Sequence, residues 1–200
     1  MIYTPSIRIA SREDAAELLD IYSYYVTDTA ISFEYEVPTV AEFERRITNI
    51  LEKYPYLVAE FEGQIVGYAY AGPFHSRPAY QWNVETTIYV RKDYRKCGVG
   101  KVLYEALEKI LQAQHILNMN ACIAVCAVED EYLTNASINF HKAMGFNMVG
   151  RFTNSGYKFE RWYGIAWMEK CIGEHTVDPL AVVPFKEFDR EAAGEILNGR

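Results

Sequence analysis

The sequence predicts a single mixed α/β domain, and three observations carry that expectation. Hydrophobic residues make up 50% of the 200 positions, enough to bury one sizeable core. Two β-rich runs, Tyr56 to Phe61 and Gln64 to Ala71, are joined by Glu62-Gly63, a hairpin signal. Further on, Glu85-Thr86-Thr87-Ile88-Tyr89-Val90 is followed by a glycine pair and an amphipathic run, which reads as strand, loop and helix. Together they make a hairpin meander feeding a strand–helix–strand unit.

In chain order, Ile7-Arg8-Ile9 is a short first strand. Ser11, with Asp14 three residues on, opens a helix whose buried stripe is Ala15, Leu18, Leu19, Tyr22, Tyr25 and Val26. Ile31 to Tyr35 is an apolar, extended link before Pro38; it either covers the core or lines a substrate cleft. Thr39 and Glu42 form a capping box for a second helix carrying Phe43, Ile47, Ile50 and Leu51. The hairpin follows, then a loop from Pro73 to Trp82. Past the central strand, Val99, Leu103, Leu107 and Leu111 recur every four residues beside Ala106 and Ile110, giving a helix to about Gln112. Ala121 to Val128 is apolar throughout and reads as a strand buried on both faces. Glu129-Asp130-Glu131 reads as a solvated acidic turn. Asn135 to Met144 is a short helix that Gly145 stops. Met148 to Thr153 and Trp162 to Ile172 close the sheet, with a turn at Asn154-Ser155-Gly156. The domain therefore spans residues 1–172. Residues 173–200, with Pro179, Pro184 and a charged run, form a C-terminal extension with one short helix near Asp189 to Leu197.

Bulk properties exclude several function classes. A net charge of −7 argues against non-specific nucleic-acid binding. No apolar run is long enough for a bilayer, and no basic segment followed by an apolar core opens the chain, so a cytoplasmic protein without a membrane partner is expected. Cys97, Cys122, Cys126 and Cys171 form no Cys-x-x-Cys and no disulfide framework is expected; Cys122 and Cys126 share a strand face and read as small packing residues. His75, His115, His141 and His175 show no metal spacing, so no metal site is expected.

The chemistry gathers at the central strand and the loop after it. Gly98 and Gly100 sit where a helix begins, where backbone N–H groups lack partners and the helix dipole is positive. Glycines there let a phosphate or pyrophosphate approach the amides; the alternative is a tight turn with no ligand. The P-loop pattern fails at Val102, and the dinucleotide fingerprint fails because its third glycine is Leu103. What remains is Arg-x-x-Gly-x-Gly after a strand. Glu85 begins that strand beside Trp82, where an apolar cleft would raise a carboxylate toward the basicity needed to deprotonate an amine.

This glycine loop resembles the acyl-CoA pyrophosphate loop of the GNAT N-acetyltransferase superfamily, and the element order is similar too. Several stretches look more closely like its phosphinothricin and methionine sulfoximine N-acetyltransferase branch. They are Thr29 to Tyr35; Arg77-Pro78-Ala79-Tyr80 with Trp82; Val84 to Val90; Ala136-Ser137 with His141 and Gly145-Phe146; and Gly156 to Phe159 with Arg161-Trp162. The likeness runs from about Ile7 to Cys171.

The resemblance implies the acyl-CoA N-acyltransferase fold: a mostly antiparallel sheet of six to seven strands, splayed at the strand ending near Val90, with about four helices. It implies acetyl transfer from acetyl-CoA to the amine of a small amino acid or analogue, by a homodimer. Carried over, Ile88, Tyr89 and Val90 would offer backbone groups to the pantetheine arm. Arg95, Lys96, Cys97, Gly98, Val99, Gly100 and Lys101 would hold the pyrophosphate. Glu85 would be the general base. Phe33, Arg77, Glu85, Thr86 and Thr87 would shape the acceptor site. His141 stands where many members carry a Tyr that protonates the departing thiolate. The branch often has an Asn contacting CoA three residues before Ser137; here that position is Thr134 and the amide is one on, at Asn135. A polyamine or protein N-terminal acetyltransferase, or a non-catalytic acyl-CoA-binding module, would use much of the same frame.

Overall fold

The computed structural model describes residues 5–198. One seven-stranded sheet runs in the order β1-β2-β3-β4-β5-β7-β6. Its strands are β1 (Ser6–Ile9), β2 (Tyr56–Phe61), β3 (Gln64–Pro73), β4 (Asn83–Val90), β5 (Asn118–Val125), β6 (Asn147–Lys158) and β7 (Arg161–Cys171). The helices are α1 (Ala15–Thr27), α2 (Val40–Leu51), α3 (Val99–Ala113), α4 (Ala136–Ala143) and α5 (Arg190–Asn198). Seven strands and five α-helices among the described residues agree with the expected mixed architecture, with one helix more.

Strand alternation sorts the core into two layers. Leu57, Ala59, Ala69, Ala71, Val84, Met119, Ala121, Ala166 and Met168 face α3 and α4. Tyr56, Val58, Tyr68, Tyr70 and Tyr89 face α1 and α2 and form a tyrosine-rich layer with Tyr22, Tyr25 and Phe43. The helix stripes behave as their spacing predicts: Val99, Leu103, Leu107 and Leu111 are all buried, as are Ala15, Leu18, Leu19, Tyr22, Tyr25 and Val26.

Every neighbouring strand pair is antiparallel except β4 with β5. That parallel ladder holds only Asn83 to Glu85 against Asn118 to Asn120. Beyond Glu85 the two strands part and leave a gap in mid-sheet. Thr86 marks the divide: its hydroxyl donates to the carbonyl of Asn120 at 3.0 Å. The Asn120 amide donates in turn to Val84 O at 3.1 Å and to Asn83 Oδ1.

Four expectations need correction. Strand β5 ends at Val125; its odd residues are buried with Asn120, while Cys122 is exposed and Asn118 and Ala124 are only partly covered. Cys122 is exposed, because α1 and α2 cover β2 to β4 and stop short of β5; Cys126 lies beyond the strand in a separate cluster. The hairpin turn lies at Phe159-Glu160, with φ of 50° and 58°, not at Asn154 to Gly156. Asn154, at φ 53°, sits in a bulge within a continuous β6. The acidic turn is not merely solvated: Asp130 caps the amides of Tyr132 and Leu133 and takes bonds from Tyr163 and Arg161.

The extension past Gly173 is packed into the domain. Gln114 is fully buried and donates to Lys53 O at 3.1 Å and Val183 O at 2.7 Å. Phe185 and Ala193 are buried, and the indole of Trp82 donates to Leu180 O.

Candidate active site

Glu85 stands on the last shared rung of β4 and β5, on the face that α1 and α2 leave open. Its carboxylate is half-buried and takes part in no hydrogen bond or ion pair among the described residues. Burial pushes its pKa up from the ordinary carboxylate range, with nearby His75 pulling the other way. A carboxylate raised by desolvation and committed to no partner is free to accept a proton.

The same face of the neighbouring strands makes the cleft floor. Cys122 and Ala124 of β5 lie there, paired with Trp167 and Ile165 of β7. Desolvation, with the charge of Glu85, pushes the Cys122 thiol up to about 11, so it stays protonated at neutral pH. One wall is aromatic: Phe74 meets Trp167 edge-on at 5.6 Å and His75 at 4.4 Å. Tyr70, opposite Thr87 on β3, adds a hydroxyl that meets the Thr87 side chain. Phe33 closes the far side. It is held there by a glycine: a Cβ on Gly156 would come within 2.3 Å of the Phe33 ring. The link of residues 31–35 covers a small cluster around Ala30, Leu133 and Tyr163, against which Ile31 and Phe33 pack.

Thr86 does not join this wall. Strand alternation turns its side chain toward α3, where its hydroxyl donates to Asn120 O and lies 3.2 Å from Tyr104 Oη. Arg77 is exposed in the loop before β4 and makes no ion pair among the described residues.

On the other side of the gap, the antiparallel ladder decides which backbone groups are free. Arg91 N donates to Val66 O at 2.9 Å, so the odd residues of β4 bond to β3 and the N–H and C=O of Ile88 and Val90 point into the gap. Tyr89 is therefore corrected: its backbone groups turn to β3, and its ring belongs to the tyrosine layer, 4.7 Å from Tyr25. Val90 is engaged as well. The Tyr25 hydroxyl donates to Val90 O at 2.5 Å and accepts from Val90 N at 3.2 Å. Of Ile88, Tyr89 and Val90, Ile88 alone keeps both groups open to the gap among the described residues.

The glycine loop follows. The backbone N–H groups of residues 96–101 make no hydrogen bond among the described residues. Gly98 supplies the left-handed turn at φ 92°. Gly100 serves packing, because a Cβ there would press on Phe140 at 3.2 Å and Ile88 at 3.4 Å. The open amides therefore come from the turn and the helix start, not from bare glycine Cα atoms facing a ligand. Lys96 and Lys101 are exposed beside them, while Cys97 bonds back to Arg95 O. Arg95 is drawn inward: its guanidinium lies 5.1 Å from the Tyr24 ring and 4.8 Å from the Tyr25 ring, and its Nε donates to Tyr25 Oη at 3.3 Å. Its Nη2 is buried with no partner. Nothing in the helical spacing of Tyr25 marks this second use of its hydroxyl.

Asn135 stands just before α4, with Nδ2 on Cys126 O at 3.4 Å and Oδ1 buried without a partner. His141 is deep in the core. Its Nδ1 lies 2.8 Å from the carbonyl of Ser137, which can only accept, so Nδ1 carries the proton. Its Nε2 then accepts from Tyr104 Oη at 3.0 Å. Desolvation pulls its pKa down to about 4. A neutral ring with its one proton held by Ser137 is a strut between α4 and α3, which corrects the expectation of a proton donor.

A strand gap in mid-sheet, a loop of free amides on one side and an unpartnered carboxylate on the other suit a bound thioester and an attacking amine. The model of the acetyltransferase (GNAT) domain matches residues 7–167. The chain belongs to the GNAT acetyltransferase family. It is an acetyl-CoA-dependent N-acyltransferase by that membership. It is 33% identical over 182 residues to phosphinothricin N-acetyltransferase of Streptomyces viridochromogenes, covering 91% of this chain and 95% of that one. It is 34% identical to the L-methionine sulfoximine/L-methionine sulfone acetyltransferase of Pseudomonas aeruginosa, covering 90% and 98%. The crystal structure of a GNAT phosphinothricin acetyltransferase from Sinorhizobium meliloti in complex with AcCoA superposes with a TM-score of 0.82 at 33% identity, over 92% of the acetyltransferase described here and 97% of that chain.

Proposed function

We propose that this acetyltransferase moves the acetyl group of acetyl-CoA to the amine of a small amino acid or close analogue, of the phosphinothricin or methionine sulfoximine type. The observation that carries the reading is the half-buried, unpartnered Glu85 carboxylate at the parting of β4 and β5. The acceptor arrives as an ammonium. Glu85 takes one proton, and the amine nitrogen attacks the thioester carbonyl carbon. A C–N bond forms, a tetrahedral oxyanion follows, and its collapse breaks the C–S bond while the remaining surplus proton on nitrogen passes to the departing thiolate, giving the neutral amide and CoA thiol. Ile88 N–H, facing the gap, is placed to bond the acyl-CoA arm or the oxyanion. The amides of residues 96–101 with Lys96 and Lys101 suit the diphosphate. The orphaned Oδ1 of Asn135 and Nη2 of Arg95 fit an acceptor and a donor waiting for a polar ligand.

Thiol release from acetyl-CoA, measured against a panel of phosphinothricin, methionine sulfoximine, common amino acids and polyamines, tests this. Turnover with the amino-acid analogues supports it. Binding of acetyl-CoA without turnover on any amine would instead identify a sensor, and preference for polyamines would move the acceptor to another class. Arg77 would grip the acceptor's acid group through a bidentate fork. Arg77→Lys is expected to raise the acceptor KM about tenfold while leaving the acetyl-CoA KM alone. An unchanged acceptor KM removes Arg77 from the site.

The acetyltransferase would act in the cytoplasm as a homodimer. Strand β6 is a twelve-residue sheet edge on which Tyr35 bonds Tyr157 O near one end, and Val149, Phe152 and Trp162 around it are about 60% exposed. Sedimentation of the wild type should give the mass of two chains, and Trp162→Glu should shift it toward one.

A further inference from the structure

We propose that Gly72 is the specificity-determining residue that admits an α-substituted amine to Glu85. The proposal rests on Glu85 being the base. The β3–β4 register pairs Gly72 with Glu85, so their side-chain positions project side by side from the open face. A Cβ built on Gly72 would have no atom within 4 Å.

Glycine inside a strand is unfavourable, and the usual structural reasons for it are missing here. Gly72 has no positive φ, and no backbone approaches it. Two other strand glycines show what such a reason looks like, Gly67 meeting Tyr89 O at 3.0 Å and Gly164 meeting Phe152 O at 2.6 Å, while Gly150, as open as Gly72, stands at a register shift of β6. Along the same face of β3 the sequence reads Tyr68, Tyr70, Gly72, then Phe74 just past the strand. Gly72 is thus a notch in an aromatic row, and the notch opens directly beside the carboxylate.

The chemistry gives the notch its use. A base must lie within hydrogen-bond reach of the attacking nitrogen, so whatever the adjacent carbon carries must fit immediately beside Glu85. Glycine has only hydrogens there, whereas methionine-like acceptors carry a side chain. The space left by Gly72 is the room for that substituent.

The test compares Gly72→Ala and Gly72→Val with wild type, using glycine and methionine as acceptors with acetyl-CoA. The ratio of kcat/KM for methionine over glycine is expected to fall about 10-fold in the Ala variant and about 100-fold in the Val variant, the usual worth of crowding a pocket by one or a few methyl groups. The acetyl-CoA KM and the melting temperature should hold. A ratio within twofold of wild type in the Val variant overturns the proposal, as does an equal loss for both acceptors. A second readout needs no turnover. Carbon-13 NMR of the Glu85 carboxyl should show its titration midpoint rising in Gly72→Val, because the methyl groups displace water from it. A midpoint that stays put overturns the notch even if the enzyme reading stands, whereas a midpoint that rises while no amine in the panel is acetylated overturns the proposed function and with it the use of the notch.

Discussion

Glu85→Gln is expected to lower kcat about 10²–10⁴-fold at neutral pH, the usual worth of a positioned general base. The change is isosteric and leaves the β4 backbone in place, so the acetyl-CoA KM should not move. The pH profile adds a second check. Burial raises the Glu85 pKa, so falling pH protonates it earlier than an ordinary carboxylate. Activity of the wild type should therefore decline on the acid side with a midpoint above the ordinary value of 4.5. The Gln variant should lack that limb. Near-normal turnover of the variant at neutral and acidic pH would remove Glu85 from the mechanism.

Mild acid should destabilise the fold through His141. The ordinary imidazole value is 6.5, and in the folded chain it is pulled down to about 4. Below about 6.5 the unfolded chain binds a proton that the folded chain refuses until about 4. Stability is therefore complete above 6.5 and is lost as pH falls toward 4, at ~1.4 kcal/mol per pH unit and roughly 3 kcal/mol in all. Urea unfolding of wild type and His141→Leu between pH 7 and 4 isolates this contribution, since other groups titrate alike in both. The variant should lose stability at neutral pH, because Tyr104 and the Ser137 carbonyl each lose a partner, but its stability should fall less steeply with acid. Equal slopes would mean that the ring is already protonated in the native state.

Much of the fold is legible in the sequence because it follows from short-range periodicity. Apolar residues every three or four positions placed α1 and α3, and Glu62-Gly63, at φ 51° and 77°, is the hairpin it looks like. Errors arise where the deciding contact is distant. Apolarity made β5 look covered on both sides, but coverage depends on where α1 and α2 end. Asn154 looked like a turn because a left-handed residue suits a bulge as well as a hairpin. At the site, Glu85 and the loop amides follow from local pattern and resemblance. The engagement of Val90 and Arg95 by Tyr25 could not, because a helix stripe reports which face of Tyr25 is buried and not where its hydroxyl ends. Gly100 was legible as a glycine that matters, but its neighbour Phe140 lies forty residues on in sequence and only the fold brings them together.

The docked segment of residues 181–188 has a consequence for how the chain is made. Val183 N bonds Gln114 O, Phe185 N bonds Lys53 O, and the Phe185 ring lies in the same core as Leu107 and Leu111. During synthesis the ribosome must therefore release residues beyond 185 from its tunnel before the ends of α2 and α3 can be sealed. Until then the buried amide of Gln114 has no carbonyl from Val183 to bond, and the seam between the ends of α2 and α3 stays open.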